Sequence, residues 1–201
     1  MSRGAPRFPL KTPLPEGADR AGAEAWQAQT AVETSIDRLG SVVVQPGGAI
    51  GTNDDRAEVL LLAGKHSGFE IEGVQWRVSG VPGAQVEGPV KVSSGFVQFE
   101  GIVFAAFPDT NNSARLISVA AGATAVFVNC RFLHTGRLPG KFVDIDATGK
   151  AHFIGCVFEP STTAALNVVV NAGVVGNVYI IGCSNLTGKT HTSVTTIAET
   201  T

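Results

Sequence analysis

The hexapeptide Phe-Glu-Gly-Ile-Val-Phe at Phe99–Phe104 returns in altered form four times along the chain. The related hexapeptides are Ile71–Trp76, Phe127–Phe132, Phe153–Phe158 and Ile180–Asn185. Their first residues are separated by 28, 28, 26 and 27 positions. A period in this range is typical of stacked-repeat proteins, in which each repeat buries its apolar face against its neighbours. Because the hexapeptides are rich in Phe, Ile and Val, they predict strands and therefore a β-solenoid.

The sixth residue of the hexapeptide is aromatic in four of the five copies: Trp76, Phe104, Phe132 and Phe158. In a solenoid these side chains stack about 4.8 Å apart along the interior, one from each coil. Such a column fills the core and sets the register, because a slip of one residue would turn the rings towards solvent. Asn185 ends the column in the last copy, as expected of a terminal coil.

Three cysteines occupy the fourth position of successive hexapeptides, at Cys130, Cys156 and Cys183. Val74 and Ile102 fill this position in the first two copies. A position that accepts Val, Ile and Cys predicts a small buried apolar slot, where free cysteine behaves as a compact hydrophobic residue. The alternative is a metal-binding or redox column, although no histidine shares the position. We expect no cofactor.

Glycine and asparagine alone occupy the third position, which predicts a left-handed backbone corner in each coil. These residues are Gly73, Gly101, Asn129, Gly155 and Gly182. A second apolar segment, followed by a glycine turn, precedes each hexapeptide. These segments are Val59–Leu62, Val90–Val92, Leu116–Val119, Phe142–Ile145 and Val168–Val170. The pattern predicts about five coils, each with two strands, two fixed corners and a variable loop. The Thr-rich tail, Thr190–Thr201, is expected to cover the open end.

Residues 1–40 differ in composition from the repeats that follow and are expected to form a separate unit ahead of the solenoid at 41–201. Proline is dense in the first sixteen residues, which favours an extended arm. The arm residues that we expect to dock on a partner are Arg3, Pro6, Arg7, Phe8, Pro9, Leu10 and Pro13. A loose terminal tail is the alternative.

The segment from Ala18 to Leu39 contains no proline and is followed by Gly40, which predicts one short α-helix. Its apolar stripe has spacings of three and four residues and comprises Trp26, Gln29, Val32, Ile36 and Leu39. This stripe is too narrow to form a core by itself. It could cap one end of the solenoid or pack against copies of itself as a short bundle.

Bulk properties exclude several classes of partner. The net charge is −2, so electrostatics do not draw the chain to nucleic acid or to an anionic membrane. No apolar run approaches the roughly 20 residues that cross a bilayer, and the N-terminus lacks the apolar stretch of a signal peptide. We expect a protein made in a cytoplasm.

The best candidate for chemistry is the pair Asp144 and Asp146, which alternate with Val143 and Ile145 and should point outward together. Paired carboxylates on an exterior strand face are what polysaccharide-cleaving enzymes use. However, an outward strand face needs polar residues in any case. The neighbouring coils offer no acidic companions, with Ser118 and Ala120 before the pair and Val169 and Asn171 after it.

The hexapeptides from Ile71 to Asn185 resemble the right-handed parallel β-helix that pectate-lyase-like enzymes share with many bacteriophage tailspikes. A proline-rich arm and a short helix ahead of such a domain is similar to a phage virion protein. The resemblance implies attachment through an N-terminal element and trimers about the helix axis. No catalytic motif of these families can be placed on this chain.

The leading expectation is a non-enzymatic structural component of a virion, either a capsid decoration or head-fibre protein or a tail component. It would be a homotrimer that contacts other virion proteins through residues 1–40. A tailspike that binds or cleaves host surface polysaccharide is the second reading. A cellular β-helix protein such as a bactofilin is the third. Bactofilins have shorter, more uniform coils, so the period near 27 argues against this alternative.

Overall fold

A computed structural model describes residues 41–48, 50, 56–106, 115–134, 141–159, 167–173, 176–185, 190–192 and 195–197. The chain divides into two units, Met1–Val43 and Val44–Thr201. The predicted arm and helix of residues 1–40 lie outside the described residues.

The described residues form nineteen β-strands and no helix. In chain order they are β1 (Ser41–Val44), β2 (Arg56–Leu61), β3 (Gly64–Ser67), β4 (Glu70–Ile71), β5 (Gln75–Gly80), β6 (Ala84–Glu87), β7 (Val90–Val92), β8 (Phe96–Glu100), β9 (Val103–Ala106), β10 (Arg115–Val119), β11 (Thr124–Val128), β12 (Arg131–His134), β13 (Lys141–Ile145), β14 (Lys150–Ile154), β15 (Val157–Glu159), β16 (Asn167–Asn171), β17 (Val178–Ile181), β18 (Thr190–Thr192) and β19 (Thr195–Ile197).

The strands form three sheets. Sheet A has the order β1-β2-β5-β8-β11-β14-β17-β19, sheet B the order β15-β12-β9-β6-β3, and sheet C the order β18-β16-β13-β10-β7-β4. The chain visits A, B and C in turn, and we call one such passage a circuit. The strand pairs with assigned register, from β2 to β19, are all parallel. The fold is therefore all-β and β-helix-like, as the hexapeptides predicted.

Each circuit contains three strands rather than the two predicted from sequence. The hexapeptide itself spans a corner, because its third residue has a positive φ and separates a strand of sheet A from a strand of sheet B. At Asn129 φ is 50°, and at Gly101 and Gly155 it is 66° and 61°. The predicted left-handed conformation is confirmed, and its consequence is a third sheet.

Two columns of phenylalanine fill the interior and interlock. Phe104, Phe132 and Phe158 stack within sheet B with ring centroids 5.5 and 4.9 Å apart. The first residues of the same hexapeptides, Phe99, Phe127 and Phe153, stack within sheet A at 5.1 and 4.9 Å. Rings of the two columns meet edge to face, for example Phe127 and Phe132 at 5.5 Å. All six side chains are fully buried.

Trp76 does not belong to the Phe104 column, so this part of the sequence prediction is wrong. It lies in β5 of sheet A, in register with Val97 of β8. The hexapeptide Ile71–Trp76 spans the corner from sheet C to sheet A, whereas the others span the corner from A to B. Both corners place a glycine between apolar residues, so the local pattern does not distinguish them.

On the preceding strand of sheet B, β6, Val86 pairs with Phe104. On the strand before that, β3, His66 pairs with Val86. His66 lies in β3 and is only 2% exposed. Its Nε2 lies 2.8 Å from the carbonyl oxygen of Leu62. Its Nδ1 is buried with no hydrogen-bond partner among the described residues.

Val59–Leu62 is likewise misassigned by the sequence. The sequence pattern groups this segment with Val90–Val92, which forms β7 of sheet C. The structure places Val59–Leu61 in β2, which belongs to sheet A. Its counterpart in sheet C is β4, a strand of two residues. In the first circuits the strands of sheet C are short, with two residues in β4 and three in β7 against five in β10 and β13, so the sequence there does not resemble the later repeats.

Circuit length changes along the chain at one corner. From Val59 to its register partner Val78 the circuit has 19 residues, and from Val78 to Phe99 it has 21. The next circuits, which reach Phe127, Phe153 and Ile180, have 28, 26 and 27. The connections from sheet B to sheet C have two residues in the short circuits, and eight, six and seven in the long ones. The period near 27 therefore holds only for the later circuits, and circuit length is not uniform along the chain.

The described parts of the Thr-rich tail continue the winding. Strand β18 is the outermost strand of sheet C, and β19 is the outermost strand of sheet A. Both pair in parallel with the strands before them. The predicted cover over the open end is, in these residues, a further pair of sheet strands.

Candidate interaction surface

The outer face of sheet A presents side chains in columns, because its strands pair without a register shift and side chains alternate between core and solvent. The central column runs from Glu58 through Arg77, Gln98, Val126 and His152 to Tyr179. The column beside it runs from Ser79 through Glu100, Val128 and Ile154 to Ile181.

The N-terminal part of this face is charged and ion-paired. Arg77 Nη2 donates to Glu100 Oε2 on β8 at 2.7 Å, and its Nη1 lies 3.6 Å from Glu58 Oε1 on β2. The hydrogen bond and the charge of Glu100 raise the pKa of Arg77. We call Glu58, Arg77 and Glu100 the charged half of the face. Its charges are satisfied within one chain.

The C-terminal part of the same face is apolar along these two columns, and Lys150 is exposed beside them on the outer face of β14. Val126, Val128, Ile181 and Tyr179 are partly exposed, and Ile154 is 38% exposed. These five residues, which we call the apolar patch, lie on three neighbouring strands of sheet A. Apolar side chains that face outward on neighbouring strands form a candidate contact surface.

His152 lies within the patch between Val126 and Tyr179 in the central column. Its ring contacts the ring of Tyr179 edge to face, with centroids 5.3 Å apart. Burial lowers the pKa of His152, and the charge of Lys150 on the same strand lowers it further. The neutral imidazole is therefore favoured, and the centre of the patch carries no charge at neutral pH.

The predicted carbohydrate face lies on the outer side of sheet C. Asp144 is partly exposed and Asp146 is exposed, while Ile145 between them is buried. The amide of Asp146 donates to the carbonyl oxygen of Val119 at 2.9 Å. Asp144 is in register with Ser118 on one side.

On its other side Asp144 pairs with Val170, so the sequence-based alignment with Val169 was off by one residue. Asp146 follows Ile145, the register partner of Asn171, and so aligns with Ala172 rather than with Asn171. The corrected alignment still places no carboxylate in register with either aspartate on the adjacent strands.

The three cysteines form a buried column. Each thiol points to the carbonyl oxygen of the phenylalanine one circuit earlier, with Cys130 Sγ 3.6 Å from Phe99 O and Cys156 Sγ 3.4 Å from Phe127 O. Contact with Cys130 and burial of the thiol raise the pKa of Cys156 to about 12. The pKa of Cys183 is also raised, by Cys156 and by burial.

The slot that the cysteines share includes Ile102, as predicted, but not Val74. Ile102 occupies it on the circuit before Cys130, and Ala84 occupies it before Ile102, since Gln85 pairs with Val103. Val74 was predicted to be buried there, but its side chain is 65% exposed. Within the ranges that the structure describes, no three His, Cys, Asp or Glu residues are arranged to hold a metal ion.

No protein-family model, curated protein or solved structure matched this chain when it was compared with each. In the described part of the chain, no helix has the length and apolar character that a bilayer-spanning segment requires. The predicted arm residues Arg3–Pro13 and the helix stripe from Trp26 to Leu39 lie outside the described residues.

Proposed function

We propose that this chain is a structural, non-enzymatic component of a bacteriophage virion, carried on the capsid as a decoration or head-fibre protein or on the tail. Its solenoid is a right-handed parallel β-helix of about five coils that projects from the particle as a rigid knob. Residues 1–40 form the arm and helix that anchor it to other virion proteins. Three copies associate side by side.

The observation that supports this proposal best is the apolar patch. Val128, Ile154 and Ile181 expose aliphatic surface on strands whose inner side chains are fully buried in the core. A second protein surface would remove that area from water, at roughly 25 cal/mol per Å² of apolar surface. A rigid scaffold with an outward apolar face is suited to assembly, and assembly is what the resemblance to virion proteins implies.

The homotrimer is tested by measuring the mass of the full chain in solution. Sedimentation equilibrium or native mass spectrometry over a range from about one to several hundred micromolar is expected to show a trimer at the upper end. A chain that stays monomeric over the whole range would contradict the trimer.

The virion location is tested by imaging. Cryo-electron microscopy of particles produced with and without the protein is expected to show a projecting density with three-fold symmetry in the first sample alone. Deletion of Met1–Glu16 is expected to abolish incorporation while the purified variant keeps its trimeric state and the circular dichroism spectrum of a β-sheet protein. Normal incorporation of the deletion variant would contradict the anchor.

A second candidate function is binding or cleavage of host surface polysaccharide, which the solvent-accessible Asp144 and Asp146 favour. Incubation with host capsule or lipopolysaccharide would then release shortened oligosaccharides. The double variant Asp144→Asn and Asp146→Asn should abolish that release. Glu58→Gln, on a different sheet, is a matched control that should leave the release unchanged.

A further inference from the structure

We infer that the cysteine column holds a redox-sensitive cross-link, in which Cys156 and Cys183 join in one disulfide bond when a small-molecule disulfide oxidises them. The bond would tie the circuit that begins with β17 to the circuit that begins with β14. All three cysteines are free thiols in the structure, so the bond is a response to oxidising conditions and not a permanent part of the fold. This inference does not depend on the proposed role in a virion.

Strand register places the two cysteines side by side. Val157 forms a parallel bridge with Ser184, so the residues before them, Cys156 and Cys183, are neighbours on adjacent circuits. Adjacent parallel strands lie about 4.8 Å apart, which is within the range of about 4.4–6.8 Å between the Cα atoms of a disulfide. Both side chains are buried in the core and therefore point the same way. Their Cβ atoms have to approach to about 3.8 Å for the bond to form.

Contacts within the column favour this pair over the pair of Cys130 and Cys156. The sulfur of Cys183 leans towards the preceding circuit, where it lies 3.4 Å from the carbonyl oxygen of Phe153 and accepts from the amide of Cys156 at 3.3 Å. Cys183 follows β17, one strand from the edge of sheet A, whereas Cys130 follows β11, three strands from that edge. Because a sulfur forms one disulfide at a time, Cys130 remains a thiol.

The reaction balances with glutathione disulfide as the oxidant. The Cys183 thiolate attacks one sulfur of glutathione disulfide, which forms a mixed disulfide and releases one glutathione thiolate. The Cys156 thiolate then attacks the Cys183 sulfur of that mixed disulfide and releases the second glutathione thiolate. The two cysteines lose two electrons and two protons, and the oxidant is recovered as two molecules of glutathione.

The closed fold limits the rate of this reaction. Contact with Cys130 and burial raise the pKa of Cys156, and contact with Cys156 and burial raise the pKa of Cys183. Few thiolates therefore form while the column is closed, and thiolates are the reactive species. Oxidation follows local opening near the edge of sheet A. The bond, once formed, restrains the opening that allowed it.

The test incubates the full chain with glutathione disulfide at about pH 8, where exposed thiols begin to ionise. Mass spectrometry of unreduced peptides is expected to find Cys156 linked to Cys183, with Cys130 recovered as a thiol. Cys130→Ala should keep this link, and Cys156→Ala should abolish every link within the chain. Alanine suits the position because Ala84 occupies the same slot on an earlier circuit.

Hydrogen exchange supplies a second readout. Amides of β17 are expected to exchange roughly threefold or more slowly after oxidation, because the cross-link restrains local opening. Dithiothreitol should reverse the change, and Cys156→Ala should show none. Unchanged exchange in the linked protein would overturn the restraint.

The remaining outcomes also decide the inference. A main product that links Cys130 to Cys156 overturns the choice of pair. Three thiols after an incubation long enough for the β17 amides to exchange, a glutathione adduct that does not resolve, or links only between chains overturn the cross-link itself. Circular dichroism verifies folding, and serine replaces alanine in any variant that does not fold.

Discussion

At the scale of single residues, stability depends on aromatic rings that serve two columns at once. Phe132 stacks on Phe104 and Phe158 within its own column, with ring centroids 5.5 and 4.9 Å away. It also meets Phe127 and Phe153 edge to face, at 5.5 and 5.6 Å. Loss of this ring would open a cavity that touches four others, and close packing leaves little room for collapse.

Phe132→Ala is therefore expected to lower the free energy of unfolding by about 3–5 kcal/mol. Phe96→Ala is the matched control, because that ring is 37% exposed, and its loss is expected to cost about 1 kcal/mol or less. Urea unfolding followed by circular dichroism measures both. Equal losses for the two variants would show that the columns do not stabilise the fold.

His152 is expected to make stability depend on pH. Its pKa is lowered from the ordinary value of 6.5, so the unfolded chain binds a proton more readily than the folded chain. Stability is then full above pH 6.5 and decreases as the pH falls from 6.5 through the lowered pKa. Denaturant unfolding at fixed protein concentration between pH 7.5 and about pH 5 measures this decrease. In His152→Asn the decrease over this window should be smaller, and an unchanged profile would assign it to other groups.

At the scale of elements, the strands of sheet A keep one register, whereas one connection varies in length. Five strands of sheet A pair without a shift from β5 to β17. The connection from sheet B to sheet C nevertheless varies between two and eight residues. The extra residues of the long circuits enter mainly at this corner, where they leave the pairing of neighbouring strands unchanged.

Insertion of four Gly and Ser residues within 107–114 is thus expected to lower the free energy of unfolding by less than about 1 kcal/mol, since loop entropy grows slowly with length. Insertion of one alanine between Val126 and Phe127 should abolish the cooperative transition, because it turns the following side chains of β11 to the wrong face. Thermal unfolding of the two variants measures the difference. Comparable melting temperatures would contradict the importance of register.

At the scale of the whole molecule, each circuit packs only on the circuits before and after it. Stability in such a stack is the sum of the contribution of each repeat and of the contacts between neighbours. Strands in the middle have two neighbours, whereas β18 and β19 are edge strands of their sheets. The molecule should therefore open from its edges towards its centre.

Hydrogen exchange followed by mass spectrometry is expected to show this gradient. Amides of β11 and β14 should exchange roughly tenfold or more slowly than those of β18 and β19, since edge strands open without global unfolding. Equal protection in all strands would instead show that the stack unfolds as one cooperative unit.

The sequence predicts the parallel stack because Phe, Gly and Asn recur at fixed positions within a hexapeptide. It fails at Ile71–Trp76, where a glycine corner between other sheets has the same local pattern. The apolar cluster on the outer face of sheet A could not be predicted from the sequence, because Val128, Ile154 and Ile181 form a column only once strand register is known. Which exterior aliphatic residues share one face follows only from the strand pairing.

The buried thiols of Cys130, Cys156 and Cys183 allow the opening of the folded protein to be measured. A thiol reagent cannot reach these sulfurs in the closed molecule, so the rate of labelling reports how often that part of the wall separates. Cys183 follows β17, only one strand from the edge of sheet A, and should be labelled first. The order in which the three cysteines are modified would therefore show the direction in which the molecule unfolds.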